Sequence, residues 1–355
     1  MSQASLDLHP GNRGGAKIAA MAAIFVLIAA AGLLYVKWWP YYHKALTAAD
    51  THSIGKSILG DPANREAAPS WSGALEYAEA YFKSVWKAAV LGILLGSLVQ
   101  VLIPARWLQR KLGSNGFKST FWGGIAAIPG MMCTCCAAPL AAGLRRRNVS
   151  AGSAVAFWLG NPLLNPATLV FMGFVLSWKF AVLRLVFGAL LTFGAGYGTS
   201  RIMRGKEAAL PEAAPESRAA MEEPRSFWLR WGKSLGLMLL QVVPAYLAAV
   251  LLLGALKWWM FPSMEGSEIG LLLLFAVFGT LFVIPTAAEI PIIQSFLAAG
   301  TGTGPAAALL LTLPAISLPS VLIAAGAFPR KILWSLLVWV AAAGVVCGLV
   351  GMAFL

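Results

Sequence analysis

Apolar residues fall into long runs at 19–39, 87–103, 151–178, 180–199, 234–256, 305–328 and 332–355, with two further runs at 121–144 and 269–300. About twenty apolar residues cross a bilayer once as a helix. The hydrocarbon layer offers no water to backbone N–H and C=O groups, so only helices and closed barrels span it. These runs lack the alternation of barrel strands and predict helices. Four are interrupted. Pro129-Gly130 breaks 121–144, and Asn161-Pro162 and Asn165-Pro166 break 151–178. Pro285 and Pro291 break 269–300, and Pro314 and Pro319 break 305–328. Proline removes a backbone donor and clashes with the preceding turn, and such a break is tolerated at membrane depth only where it is buried or lines a cavity. The four breaks are therefore expected to converge near the midplane.

Basic residues orient the runs, because cytoplasmic loops carry the Lys/Arg excess. With the N-terminus cytoplasmic, the basic stretches 105–120, Arg145-Arg146-Arg147, 200–233 and Arg330-Lys331 all belong inside. That holds only if 121–144 and 269–300 enter and return as re-entrant hairpins. The expected order is a cytoplasmic tail 1–18, an uncleaved anchor 19–39 and an extracytoplasmic segment 40–86. A first unit 87–199, a cytoplasmic linker 200–233 (flexible over 206–223) and a second unit 234–355 follow. Ile128-Pro129 matches Ile284-Pro285, and Leu140-Ala141-Ala142-Gly143 matches Leu297-Ala298-Ala299-Gly300. The fold class expected is an all-α polytopic membrane protein: two inverted-topology repeats with Pro-broken helices, a transporter plan, plus one extra N-terminal span.

Composition narrows the function. Of 355 residues, 59 % are hydrophobic and 12 % charged, against about 25 % charged in soluble proteins. The net charge of +13 reads as cytoplasmic loops rather than a nucleic-acid surface. His9, His43 and His52 lie outside the apolar runs, so no resident metal is expected. No phosphate loop is present, so neither ATP drive nor any other cofactor is expected.

The candidate chemistry sits at the breaks. Each hairpin tip starts a half-helix whose free N–H groups favour anions. Cys133, Cys135 and Cys136 follow the first tip, with Cys133 and Cys136 on one helical face. Thiolates bind soft metals and trivalent arsenic or exchange with sulfur species. Cys347 reads as packing. Glu289 is the one carboxylate inside an apolar run, and an intramembrane acid is a functional candidate by default. The shift that superposes Ile128-Pro129 on Ile284-Pro285 carries Cys133 onto Glu289. Asn161 and Asn165 either cap the freed backbone or bind solute; Gln294 and Ser317 are further candidates. Arg184, about one turn inside its run, is expected to snorkel outward. Gly92-x-x-x-Gly96 reads as helix packing.

Cys133-Thr134-Cys135-Cys136-Ala137-Ala138-Pro139-Leu140 resembles the Cys-x-Cys-x-x-x-Pro-Leu signature of the predicted permeases that include the ArsP organoarsenical efflux proteins. Gly160-Asn161-Pro162-Leu163-Leu164-Asn165-Pro166, Glu289-Ile290-Pro291-Ile292 and Pro314-Ala315-Ile316-Ser317-Leu318-Pro319 resemble its other motifs, over about 75–355. The resemblance implies a bacterial inner-membrane permease, not an enzyme, with some relatives exporting trivalent organoarsenicals such as methylarsenite. Together with the residues it gives an expectation of proton-coupled export of a soft, thiol-reactive solute. The cysteines would bind it, Glu289 would carry the proton, and the Asn-Pro breaks would shape the cavity. An importer of sulfur compounds such as thiosulfate, a soft-metal permease and a membrane thiol-redox protein stay open. The expected partners are the lipid bilayer, the small solute and protons, with a homodimer allowed.

Overall fold

The computed structural model describes residues 12–60, 71–102, 108–109, 112–204, 227–261 and 267–355. Residues 205–226 of the expected linker 200–233, including the stretch 206–223, and most of the tail 1–18 lie outside them; the described ends of that linker, 200–203 and 227–233, are helical. The described fold is 84 % helix and has no strand. Seven of its helices are long and apolar enough to cross a membrane. Each run expected to cross singly overlaps one of them.

The first helical stretch is longer than its apolar run. Helix α1 (Asn12–Leu33) passes through a π-helical turn, Leu34–Trp38, into α2 (Trp39–Thr51). Pro40, which has no N–H to give the turn before it, follows that π-helical turn in a continuous helix, and left-handed His52 (φ 51°) ends the helix. Helix α3 (Trp71–Leu102) also starts well before residue 87. Its early turns bury Tyr77, Tyr81 and Val85, spaced four apart on one face. Much of the stretch 40–86 is thus helical.

The two broken runs form pairs of short helices. Helix α4 (Phe117–Ala127), a 3₁₀ turn at Ile128–Gly130 and α5 (Thr134–Arg146) make the first pair. Helices α10 (Glu268–Leu281) and α11 (Glu289–Ala298) make the second. Each is too short to cross alone. Helices α6 (Ala151–Leu163) and α7 (Pro166–Val175) share one broken crossing, as do α12 (Thr303–Ala315) and α13 (Leu318–Ala324). Three unbroken helices complete the fold: α8 (Trp178–Met203), α9 (Phe227–Met260) and α14 (Arg330–Phe354).

Packing repeats between halves. Helix α4 lies against α6 and α8, and α10 lies against α12 and α14. Helix α5 packs on α6 and reaches α13; α11 packs on α12 and reaches α7. The pairs α3–α9, α6–α12 and α8–α14 each join equivalent helices. Exchanging α3–α8 with α9–α14 maps each of these contacts onto another or onto itself, whereas α3–α5, α7–α8 and α9–α13 have no counterpart of similar extent among the described residues. Helices α6 and α12 are buried along almost their whole length, which is why their sequences are apolar all round.

Candidate functional site

The two tips share a backbone conformation. Met131 (φ 48°) and Ala287 (φ 69°) are both left-handed, which is uncommon for residues other than glycine. Each stands three residues after its Ile of the Ile-Pro pair. The reversal at Met131 delivers Cys133 as the extended N-cap of α5, and that at Ala287 starts α11 at Glu289. At the first tip Gly130 lies hard against Asn161 Oδ1, where a Cβ would collide.

All four breaks meet at one cavity. Cys133 and Thr134 line it from the first tip, and Pro162 and Thr168 from the α6–α7 break. Pro285, Thr286 and Glu289 line it from the second tip, and Pro314 from the α12–α13 break. Its volume is about 10 Å³, room for about one water. Thr168 Oγ1 and Glu289 Oε2, both on residues that line it, are buried without a hydrogen-bond partner.

The cysteines form a cluster of free, buried thiols. Cys133 Sγ lies 2.8 Å from Cys136 Sγ and 3.3 Å from Cys135 Sγ, and all three sulfurs fall within 4.8 Å of one another. Sulfurs about 2.3 Å from a shared soft ion would stand about 4 Å apart, so the cluster would open slightly to hold one. Tyr81 Oη sits 3.0 Å from Cys135 Sγ, and Tyr246 Oη 3.8 Å from Cys136 Sγ. Trp158 Nε1 donates to the Thr134 carbonyl at 3.0 Å and fixes the start of α5. Gly92 and Gly96 bring α3 onto the α5 backbone at Cys136 and Pro139, so this glycine pair positions the thiols.

Arg184 is not at the surface. It is 1 % exposed, and Nη1 donates to Glu289 Oε1 at 3.0 Å. The expectation of outward snorkelling is overturned for a definable reason. Pro314 has no N–H to offer the Leu310 carbonyl one turn earlier, and the last carbonyls of α6 have no intrahelical donor. Arg184 supplies both: Nη1 donates to Leu310 O (2.8 Å), Nη2 to Pro162 O (2.8 Å) and Nε to Leu163 O (3.4 Å). A cation at the end of α6 also complements its dipole.

The other predicted residues divide. Asn165 caps α7, its Oδ1 accepting from Ala167 and Thr168 N–H at 3.0 and 3.3 Å. Asn161 donates to Phe157 O at 2.9 Å. Buried Ser317 precedes α13; its backbone N–H donates to Ser320 Oγ at 3.0 Å and its carbonyl accepts from that hydroxyl at 2.7 Å, while Ser317 Oγ itself has no partner among the described residues. Thr134 Oγ1 reaches Ser320 Oγ at 3.4 Å. Pro166 and Pro319 occupy first turns, and Pro291 lies buried early in α11. Gln294 is exposed and does not line the cavity; at 3.6 residues per turn five residues rotate it well away from Glu289. Cys347 is buried in α14, outside the thiol group.

Sequence reasoning missed Lys37. It is 4 % exposed, and Nζ donates to Tyr41 Oη and Thr286 Oγ1, both at 3.0 Å. Beside it Trp38 Nε1 donates to the Pro129 carbonyl at 2.8 Å. The first helix therefore touches both tips. The signal was present: Lys37 is a charge within the apolar run 19–39.

The chain matches the family model ArsP_1, described as "Predicted permease", over residues 70–352. It is 53 % identical to UPF0718 protein YraQ of Escherichia coli (strain K12), over 94 % of each chain. It is 22 % identical to UPF0718 protein MJ0584 of Methanocaldococcus jannaschii, over 66 % of this chain and 82 % of that one. No solved structure matches it.

Proposed function

The chain belongs to the predicted permease family, transporters rather than enzymes, and from that premise we propose that it is a secondary permease of the bacterial inner membrane, N-terminus cytoplasmic, exporting a small soft solute through the cavity where the four breaks meet. The thiol cluster carries this reading: Cys133, Cys135 and Cys136 are mutually in reach, and Cys133 faces the cavity. A trivalent organoarsenical fits that chemistry. Methylarsenite exchanges two As–O bonds for two As–S bonds, releasing two waters, and the reverse reaction frees it. Asn161 and Asn165 hold the α6–α7 break in shape, and Ser317 does the same before α13.

The unit α3–α8 and the unit α9–α14 are read as inverted-topology repeats, each with a re-entrant hairpin. The exchangeable packing pairs and the matched left-handed residues Met131 and Ala287 support this. A cavity the size of one water passes no solute, so the hairpin tips part during transport. Glu289, with Oε2 free beside the cavity, takes up and releases the exchanged proton.

The test is methylarsenite accumulation in everted inner-membrane vesicles, for the native chain and a Cys133/Cys135/Cys136→Ser variant. Uptake that needs the proton gradient and is lost in the variant is the expected result. Uptake retained by the variant removes the thiols from the site, and absence of uptake from both overturns the arsenical reading.

A further inference from the structure

Lys37 is a cation at membrane depth with no carboxylate paired to it among the described residues. A lone buried ammonium is costly and marks a functional site by default. The placement is against the grain of the helix. In the same turns Leu34, Tyr35 and Trp39 are exposed while Lys37 points inward. The turn is π-helical, a geometry that recurs at functional sites. Trp38 on Pro129 O and the Tyr41–Phe171 ring contact, 5.6 Å between centroids, hold the helix there.

The ammonium has three donors. Tyr41 and Thr286 accept two, which leaves one N–H. Thr286 lines the cavity, and because its Oγ1 accepts from Lys37 its own proton is free to point at a solute. Arg184 and Glu289 cancel each other's charge, so the charge about the cavity with neutral thiols is that of Lys37. The family match begins at residue 70, so nothing in it accounts for this residue.

We propose that the N-terminal helix is part of the solute site and that Lys37 selects an anion: a small oxyanion carrying a soft atom, its oxygens toward Lys37 and Thr286 and its soft atom toward Cys133. The inference rests on the cysteine cavity being the solute site, and it names the solute class.

Purified full-length protein in proteoliposomes tests it, with thiosulfate as the anionic probe and methylarsenite as the neutral one. The variants are Lys37→Met, Lys37→Arg and Cys133/Cys135/Cys136→Ser, each checked for monodisperse elution. The expected result is thiosulfate uptake that falls at least about tenfold in Lys37→Met, the loss of a charged hydrogen bond, and recovers in part in Lys37→Arg. Methylarsenite uptake by Lys37→Met falls less than thiosulfate uptake does, since the neutral solute loses at most a hydrogen bond to the ammonium and the anion loses its ionic partner. No thiosulfate uptake by the native protein overturns the proposal. So does equal uptake by Lys37→Met, or a monodisperse Lys37→Met that loses both probes alike. Thiosulfate uptake surviving in the triple-Ser variant sinks instead the reading on which the proposal rests.

Discussion

Arg184→Met is the most informative single perturbation of the fold. It deletes the partner of a buried carboxylate and the donors to Pro162, Leu163 and Leu310 carbonyls. Removing one member of a buried ion pair costs about 3–5 kcal/mol, because the other charge is stranded. Interhelical polar contacts in membrane bundles average about 0.6 kcal/mol each. The stranded charge therefore dominates, and the total is on the order of 5 kcal/mol. That is comparable with the whole stability of a small domain. Glu289→Gln should cost less, because Arg184 keeps its three carbonyls. The double variant strands no charge, so its loss should fall short of the sum of the two single losses by about 1–3 kcal/mol, the size of coupling expected for residues in contact. Equilibrium unfolding in mixed detergent micelles, followed by circular dichroism, measures all three. An Arg184→Met loss under about 1 kcal/mol, or a double loss equal to the sum of the two single losses, would refute the account of Arg184 as the charge that closes both broken helices.

Two further outcomes follow from local geometry. A Cβ at Gly92 would stand 2.5 Å from the Cys136 carbonyl, so Gly92→Ala should push α5 from α3. The expected cost is about 1–3 kcal/mol, with weakened capture of a phenylarsenical by the thiols, read by unfolding and by competition with a thiol-reactive dye. Asn165→Ala removes the cap of α7 and should cost about 1 kcal/mol, while Asn165→Asp keeps the accepting oxygen and should cost less; the thermal midpoints of the two variants in detergent check the order.

The membrane runs and their breaks were legible because the backbone must satisfy itself in lipid, and proline and glycine mark where it cannot do so by helix alone. Cys133 and Glu289 were legible for the same reason: the Ile-Pro echo places both at tips, and the left-handed Met131 and Ala287 sit where that echo puts them. The two cations beside the cavity were not. Arg184 and Lys37 each lie near the end of an apolar run, where a long basic side chain has an ordinary explanation in snorkelling. Distance from the end of an apolar run, however, does not give depth. The first helical stretch continues to Thr51, so Lys37 is interior to it, and Arg184 meets a carbonyl that Pro314 frees on another helix. Tyr81 and Tyr246 were hidden too: Tyr81 precedes the run 87–103 and Tyr246 lies midway along 234–256, and neither position marks a site until the fold sets its hydroxyl against a thiol. What buries a cation near a span end is the polar group left unpaired opposite it, and for Arg184 a proline locates that group at the Leu310 carbonyl. A buried cation is to be sought within reach of a proline-freed carbonyl or a hairpin tip: Arg184 meets the first condition at Leu310, and Lys37 meets the second at Thr286.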